Sequence, residues 1–238
     1  MATLSFGAGT HTGNVRVHNE DSYSADADLG LWMVADGMGG HAGGEVASGI
    51  AKEIIETSAS RGEDIEDAIQ QSHLAILQAI DDGTGKPGMG TTVVAAQFNA
   101  QHYKLAWVGD SRAYLWDGEL NQISRDQSLV QIMVDMGTIT RDEARYHPRK
   151  NIITQYVGQP ELKRLKVECV EATLNTDQIM LLCSDGLSDE VGDDEMIDIL
   201  QHGCSSQLSN QEIADTLIEA ALRNGGRDNV TVIVISMQ

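Results

Sequence analysis

The sequence predicts an α+β protein in which helices cover an antiparallel sheet or sandwich. Two helical stretches follow each other directly, at 44–57 and 63–79, and two more precede the last strand, at 194–201 and 211–224. Between these pairs lie short β-like runs, two of which are joined by Asp117-Gly118, a dipeptide typical of hairpin turns. Helices that come in pairs do not make a βαβ alternation, so a parallel sheet is not favoured.

Periodicity supports each of these elements. In the first helix Val46, Ile50 and Ile54 recur every four residues, and in the second helix isoleucines form a similar stripe. The last helix ends at Gly225-Gly226, a common helix stop. The β-like runs cover 31–34, 91–98, 103–108, 112–116, 120–123, 165–170, 179–183 and 230–235.

The chain carries a large negative charge. Its 238 residues include 36 Asp and Glu against 16 Lys and Arg, a formal net charge of −20, whereas its apolar content of 41% is ordinary for a folded protein. Nucleic acids and anionic membranes bind proteins through clustered Lys and Arg. We therefore expect neither nucleic acid nor a membrane as a partner.

The cysteines and the short apolar runs favour a protein of the cytoplasm. Cys169, Cys183 and Cys204 are odd in number and widely spaced, which argues against a disulfide framework or a zinc ribbon. The start of the chain lacks the pattern of a secretory signal, and the apolar runs are far shorter than the ~20 residues that span a bilayer. With no repeat or linker, the sequence predicts a single domain over 1–238, a cytoplasmic location and a monomer.

Four aspartates stand beside predicted strand ends and turns. Asp36, Asp110 and Asp185 each follow an apolar run, and Asp228 precedes the last strand. A single Asp in such a place usually bonds its own backbone in a turn. Four of them at strand ends, where rigid scaffolds present functional side chains, favour a common site.

The residue types around these aspartates indicate which ion they would bind. Carboxylates that converge repel one another unless a cation lies between them. Because histidine is scarce and cysteine unpatterned near them, oxygen ligands favour Mg²⁺ or Mn²⁺ over Zn²⁺. A calcium EF-hand does not fit, since Asp26-Ala27-Asp28 lacks the downstream glycine and glutamate of that loop.

Six short motifs follow one another over nearly the whole chain. They read R-V-H-N-E-D at 16–21, D-G-M-G-G-H at 36–41, G-M-G-T-T at 88–92, V-G-D-S-R at 108–112, S-D-G-L at 184–187 and G-R-D-N-V-T at 226–231. One D-G-x-G alone would be a weak signal, but six ordered motifs are specific. Through them the chain resembles the metal-dependent protein serine/threonine phosphatases of the type 2C (PPM) family, in their short bacterial form.

The resemblance implies a four-layer α-β-β-α sandwich, two antiparallel sheets flanked by helices, with a pair of Mg²⁺ or Mn²⁺ ions at one end. It implies that Asp36 bridges the two ions and that the Gly37 carbonyl binds one of them. Asp185 and Asp228 would complete the ligands of the other ion.

Further ligands are implied around this pair. Glu20 and Asp21 would supply another carboxylate, directly or through water. A third, weaker ion is implied at Asp126 together with Asp185, and Asp189 would contribute through water. Gln127 departs from the pattern, because many relatives have histidine at this position.

The reaction implied is hydrolysis of phosphoserine and phosphothreonine in proteins by a water that bridges the two metals, which reverses protein kinase action. Metal charge lowers the pKa of such a water and stabilises the phosphoryl oxygens. Arg16 has the planar fork that holds phosphate bidentately, so we expect it to bind substrate and assist catalysis. His41 is a candidate catalytic acid and, equally, a candidate cap of the next helix. Asp110 and Arg112 are expected to orient the site.

Relatives carry a flap subdomain beside the active site, which corresponds here to about 127–166. Within it, residues 141–166 hold seven basic and three acidic side chains, an unusual excess in so acidic a chain. One interpretation is a random cluster of surface charge. The other is a basic lip that binds acidic or phosphorylated peptides, with Arg149 and Lys150 as substrate-binding residues.

Three functions are compatible with these observations. The first is an active phosphatase whose partners are phosphorylated proteins, the substrates of a serine/threonine kinase. The second is a catalytically weak relative that binds phosphoproteins and regulates them, which the intact Asp36, Asp185 and Asp228 disfavour. The third is an acidic cation-binding protein without catalysis, which leaves Arg16 and the ordered motifs unexplained.

Overall fold

The chain forms two antiparallel sheets that pack face to face and carry helices on their outer faces. The structure is a computed structural model that describes residues 3–40 and 43–237. The strands are β1 (Leu4–His11), β2 (Asp21–Asp26), β3 (Leu31–Met38), β4 (Gly90–Thr91), β5 (Val93–Asn99), β6 (His102–Val108), β7 (Arg112–Trp116), β8 (Leu120–Gln122), β9 (Glu168–Thr173), β10 (Ile179–Cys183) and β11 (Val230–Met237). The helices are α1 (Gly43–Ser60), α2 (Ile65–Asp81), α3 (Leu129–Asp135), α4 (Arg141–Arg145), α5 (Asp185–Ser188), α6 (Asp193–Ser205) and α7 (Asn210–Asn224).

Strand order confirms the predicted α+β class. One sheet has the order β1-β11-β10-β7-β8, and the other has the order β2-β3-β5-β6-β9, with β4 paired to β3. The strand pairs are antiparallel, and β7 and β8 form the hairpin predicted at Asp117-Gly118. Gly118 has a φ of +106°, which a turn of this kind requires and which glycine adopts without strain.

The apolar side chains divide into three cores because side chains alternate between the two faces of a strand. On β3, Trp32 and Val34 point into the core between the sheets, whereas Leu31 and Met33 point into the core beneath α1 and α2. A third core lies between strands β7, β10 and β11 and helices α5 to α7. A strand buried on both faces reads as a continuous apolar run, which is why 31–34 was predictable.

Helix ends follow local rules. Asp64 caps α2 by accepting a hydrogen bond from the Glu66 amide at 2.9 Å, and Ser209 with Glu212 forms a reciprocal capping box at α7. Gly225 ends α7 with a φ of +148°. Among the helices that the structure describes, none is long and apolar enough to cross a membrane.

Several elements differ from the sequence prediction. The strands β1 and β2 and the helix α5 were not predicted, no bounds were predicted for α3 and α4, and β9 covers 168–173 rather than 165–170. β1 contains Gly7 and Gly9, which have low strand propensity. Gly7 is required there, because a Cβ at this position would overlap the Asn210-Gln211 backbone at the start of α7.

The segment from 127 to 166, hereafter the flap segment, contains α3 and α4 and is joined to the rest by few backbone contacts. Isolated bridges pair Thr91 with Val157 and, within the segment, Ser128 with Ile153. Thr140 and Glu143 form a capping box at the start of α4. That the flap segment moves as a subdomain remains a prediction.

Gly186 provides a stability test of the close approach between α5 and the turn before β11. A Cβ at Gly186 would overlap the carbonyl of Asn229. We expect Gly186→Ala to cost about 3 kcal/mol and to lower Tm by about 6–12 °C. Gly49→Ala in α1 is the control, since nothing lies within 4 Å of its added Cβ and it should keep or slightly raise Tm. Equal melting of both variants would contradict the packing described.

Candidate active site

Antiparallel pairing brings the predicted aspartates to one end of the sandwich. Asp36 lies on β3 directly opposite Asp21 of β2. Asp110 follows β6, Asp185 follows β10, and Asp228 precedes β11. Asp21, Asp110, Asp185 and Asp228 are all close enough to Asp36 for their charges to act on it. The four aspartates singled out in the sequence, and Asp21 with them, therefore form one acidic cluster.

Burial and mutual repulsion raise the pKa values of this cluster. Burial, followed by the charges of Asp21 and Asp185, raises the pKa of Asp36 well above its ordinary value. Burial and then Asp110 and other neighbouring carboxylates do the same for the pKa of Asp185. The pKa of Asp110 rises to about 7 through burial and the charge of Asp126. For Asp110 the charge of Arg112 opposes this rise without cancelling it, so the cluster holds more negative charge than its neighbours compensate.

Asp21 contains an unsatisfied acceptor. Its Oδ2 accepts hydrogen bonds from Ser184 Oγ at 2.8 Å and from Thr231 Oγ1 at 2.6 Å. Its Oδ1 is buried and has no hydrogen-bond partner. Burial raises the pKa of Asp21 to about 6, although the two hydroxyl donors oppose this rise. A buried carboxylate oxygen without a donor is costly unless a ligand occupies the space it faces.

The backbone of Asp36 is held by Thr91 and Thr92, which sequence analysis did not single out as site residues. The Asp36 carbonyl accepts hydrogen bonds from the Thr92 amide at 2.8 Å and from Thr91 Oγ1 at 2.9 Å. Thr92 Oγ1 accepts from the Asp36 amide at 3.1 Å and bonds Ser111 Oγ at 2.7 Å. The hydroxyl residues of the G-M-G-T-T and V-G-D-S-R motifs, which stand in the same motifs as the predicted site, were the signal that could have identified them.

Glu20 and Gly37 lie where β3 meets the start of α1. The Glu20 carbonyl accepts from the Gly37 amide at 3.2 Å and from Ser48 Oγ at 2.6 Å. Glu20 Oε1 accepts from the Gly44 amide at 3.2 Å, in the first turn of α1. A Cβ on Gly37 would overlap the carbonyls of Gly44 and Glu20, so the chain needs glycine there. One oxygen of Glu20 therefore serves the helix start, and its role as an ion ligand remains a prediction.

Arg16 lies on the loop between β1 and β2 and contacts the acidic cluster. Its Nη2 donates to Asp228 Oδ2 at 2.6 Å, with 53% of the Arg16 side chain exposed. Asn229 fixes this loop, since its Nδ2 donates to the carbonyls of Thr12 and His18, both at 2.9 Å. Sequence analysis did not single out Asn229, although it lies in the G-R-D-N-V-T motif. The predicted phosphate ligand is thus beside the site, paired with a predicted metal ligand.

Asp126 is bound by Arg112. The guanidinium donates to both carboxylate oxygens, at 3.0 Å from Nε to Oδ1 and 2.7 Å from Nη2 to Oδ2, and Gln122 Nε2 adds a bond of 2.7 Å to Oδ1. Arg112 Nη1 also donates to the Tyr114 hydroxyl at 3.1 Å. Asp126 thus has protein donors on both oxygens, and its role at a third ion remains a prediction.

The flap segment lines an open cavity of about 610 Å³ together with Asp110 and Asp185 of the acidic cluster and with Asp126 and Asp189. Lys150 lines this cavity, and its Nζ lies 2.5 Å from Asp189 Oδ2. Arg149 is exposed to solvent. His41 lies outside the described residues.

The donors at this end fit hard divalent cations. Among the described residues, no three His, Cys, Asp or Glu side chains are close enough to hold one ion between them. Mg²⁺ and Mn²⁺ accept oxygen from water and backbone carbonyls beside one or two carboxylates, so a smaller set of side chains suffices. The free Oδ1 of Asp21 and the raised pKa values of Asp36 and Asp185 indicate charge that such ions would neutralise. Fold and site together define an α+β sandwich whose acidic end is suited to divalent cations.

Comparisons with known proteins define the family. The sequence pattern described as Protein phosphatase 2C matches residues 8–223. The chain is 40% identical over 246 residues to serine/threonine protein phosphatase PstP of Mycobacterium tuberculosis, covering 97% of this chain and 44% of that relative. It is 35% identical to serine/threonine phosphatase stp of Listeria monocytogenes, covering 95% of this chain and 93% of that relative. The chain thus spans less than half the length of PstP.

Solved structures give the same result. A crystal structure of the M. tuberculosis phosphatase PstP/Ppp aligns with a TM-score of 0.88 at 38% identity, covering 98% of each chain. The catalytic domain of PstP in complex with two manganese ions aligns with a TM-score of 0.86 at 37% identity, covering 100% of this chain and 99% of that one. The chain belongs to the protein phosphatase 2C family.

Proposed function

We propose that this chain hydrolyses phosphoserine and phosphothreonine in proteins with the help of two Mg²⁺ or Mn²⁺ ions. The observation that carries the proposal is the buried carboxylate cluster at one end of the sandwich, with the unpartnered Oδ1 of Asp21 and the raised pKa of Asp36. The family match and the similarity to PstP with two manganese ions support it.

We assign Asp36, Asp185, Asp228 and the Gly37 carbonyl to the ion pair, with Asp21 and Glu20 beside them. When bound, the ions supply positive charge to the phosphoryl oxygens and lower the pKa of water. The Thr91-Thr92 pair fixes the backbone of Asp36, which keeps its carboxylate in place at the end of β3. Ser184 and Thr231 orient Asp21 through its Oδ2.

Arg16 would hold the phosphate of the substrate. Its Nη2 is bound to Asp228 in the structure, and this nitrogen is one of the two donors that a bidentate contact with phosphate would need. Released from Asp228, the guanidinium of Arg16 would have this nitrogen free to donate to the phosphoryl oxygens. The half-exposed position of Arg16 makes this rearrangement easy.

We expect Arg16→Lys to lower kcat/KM for a phosphopeptide about 10- to 100-fold, because lysine keeps the charge and loses the bidentate fork. The measurement is steady-state kinetics on a phosphothreonine peptide with saturating Mn²⁺. Arg61→Lys, an exposed arginine paired with Glu63 after α1, is the matched control and should leave kcat/KM unchanged. An unchanged kcat/KM in Arg16→Lys would remove Arg16 from the phosphate site.

The test of the proposed function is release of inorganic phosphate from phosphoserine and phosphothreonine peptides with Mn²⁺, with Mg²⁺, and after chelation. We expect turnover with either ion and none after chelation. Binding of the peptides without turnover would instead support the catalytically weak, phospho-binding alternative. If the chain neither binds nor hydrolyses the peptides, only the interpretation as a cation-binding protein without catalysis is left.

The setting we propose for this activity is the cytoplasm, with the chain acting as a monomer on phosphorylated proteins made by a serine/threonine kinase. Cys169, Cys183 and Cys204 are free, as is usual in a reducing compartment. The net charge of −20 gives no support to nucleic acid or membrane as partners.

A further inference from the structure

Glu190, just after α5, is a buried carboxylate with both oxygens bound to Arg227. Its Oε1 accepts hydrogen bonds from the Arg227 amide at 3.0 Å and from Arg227 Nε at 2.7 Å, and its Oε2 accepts from Nη2 at 2.9 Å. Only 3% of the Glu190 side chain is exposed, against 72% for Arg227. The hydrogen bond from Arg227 and, less strongly, the charge of Lys150 lower the pKa of Glu190, so this carboxylate is ionised and paired at neutral pH.

Glu190 is joined by hydrogen bonds to the helix that begins at Asp185. Its amide donates to the Leu187 carbonyl of α5 at 3.2 Å, and its carbonyl accepts from Asn224 Nδ2 at 3.1 Å. Asp185 is the first residue of α5. The position of Glu190 is therefore set by the same helix that carries Asp185.

The turn between α7 and β11, residues 225–229, lies on the other side of this contact. Arg227, whose amide and guanidinium both bind Glu190, directly precedes Asp228. Gly225 allows the carboxylate to come this close, since a Cβ there would lie 2.9 Å from Glu190 Oε2. Glu190 and Arg227 are 37 residues apart, so their contact connects the helix of Asp185 with the turn of Asp228.

Asp185 and Asp228 repel each other when no cation lies between them. The charge of Asp228 is among those that raise the pKa of Asp185. Because the two carboxylates belong to separate elements, repulsion moves them apart unless bonds join those elements. The bonds between Glu190 and Arg227 have the bidentate, charge-assisted form that is strongest in proteins and fixes geometry best.

We propose that Glu190 is a positioning residue for the ion site, which holds the Asp228 turn at the distance from Asp185 that one divalent cation requires. The inference rests on the proposed function, in which both aspartates bind the same ion. Without Glu190 the turn should shift rather than unfold, because Asn14 also holds it through a hydrogen bond of 2.6 Å from its amide to the Gly226 carbonyl.

The experiment combines a Mn²⁺ binding isotherm of wild type and Glu190→Gln with hydrolysis of a phosphothreonine peptide at a series of Mn²⁺ concentrations. Replacing a side chain that orients metal ligands lowers metal affinity by about 10- to 100-fold, and we expect a loss of about tenfold for one of the proposed ions. At saturating Mn²⁺ the kcat of Glu190→Gln should stay close to that of wild type, because the ligands are unchanged. A general loss of folded protein would instead lower kcat and leave the Mn²⁺ concentration for half-maximal turnover unchanged.

Arg227→Lys keeps the charge and the backbone amide but loses the fork, so it should weaken the same ion by less than Glu190→Gln does. Glu212→Gln is the matched control and should bind Mn²⁺ as wild type does, since Glu212 accepts from the Ser209 amide at 2.8 Å at the opposite end of α7 from the turn.

An isotherm identical to wild type in Glu190→Gln, or in Arg227→Lys if the first variant does not fold, would overturn the positioning role and leave the proposed function intact. Equal weakening in Glu212→Gln would overturn it as well. A wild-type chain that binds no Mn²⁺ would overturn both the positioning role and the proposed function.

Discussion

Replacing Asp36 by asparagine is expected to abolish the metal-dependent activity and, at the same time, to stabilise the metal-free protein. Activity should fall by at least ~10³-fold, since the charge that we assign to both ions is lost. Stability should rise because burial and neighbouring carboxylates hold the pKa of Asp36 well above its ordinary value, and asparagine fills the same space without charge. Each pKa unit relieved is worth about 1.4 kcal/mol, and each kcal/mol raises Tm by about 2–4 °C.

Asp64→Asn is the matched control for this result. Asp64 accepts hydrogen bonds from the Glu66 amide at 2.9 Å and from Lys104 Nζ at 2.8 and 2.7 Å, so its charge has partners. This variant should lose stability and keep activity. A metal-free Asp36→Asn protein that melts below wild type, or one that retains full turnover, would contradict the account of Asp36.

The second large effect is a pH dependence of stability that Mn²⁺ reverses. The pKa of Asp21 is raised to about 6 and that of Asp110 to about 7. A carboxyl whose pKa is raised by folding stabilises the native state below its unfolded pKa, and this stability is lost as pH rises through the folded pKa. Between pH 4 and 7 the metal-free protein should therefore lose stability, and Tm at pH 8 should be at least ~5 °C lower than at pH 5.

Thermal melts of metal-free and Mn²⁺-saturated protein across this range measure the effect. Saturating Mn²⁺ should raise Tm most at pH 8, where the carboxylates are ionised, and least at pH 5. Carboxylates that carry an arginine partner act in the opposite direction and at lower pH, as for Glu190, whose pKa is lowered by the hydrogen bond from Arg227. A metal-free Tm that rises from pH 5 to 8 would show that the carboxylates of the cluster are not destabilised by burial and mutual repulsion as described.

The part of the site that could be predicted from sequence is the part that depends on local pattern. Asp36, Asp110, Asp185 and Asp228 follow or precede apolar strands, and antiparallel pairing then places them together. The fold class followed in the same way from paired helices and a hairpin. β1 could not be predicted, because its glycines are compatible with a strand only through pairing with β11 and contact with α7.

Contacts between distant parts of the chain also could not be predicted from the sequence. The resemblance implied an ion at Asp126, which remains a prediction, and gave no indication that Asp126 pairs with Arg112 of β7. The basic residues of the flap segment were open to two interpretations, a random cluster of surface charge or a substrate-binding lip. In the structure Lys150 is bound to Asp189, while Arg149 faces solvent. Which charge meets which is decided by packing, and no local spacing encodes it.

The central claim, that the acidic end of the sandwich performs cation-dependent phosphate ester hydrolysis, is tested most directly with p-nitrophenyl phosphate. Metal-stripped protein should be inactive, added Mn²⁺ should restore turnover, and Asp36→Ala should stay inactive at saturating Mn²⁺. Turnover by metal-stripped wild type, or full activity of Asp36→Ala with Mn²⁺, would contradict the claim.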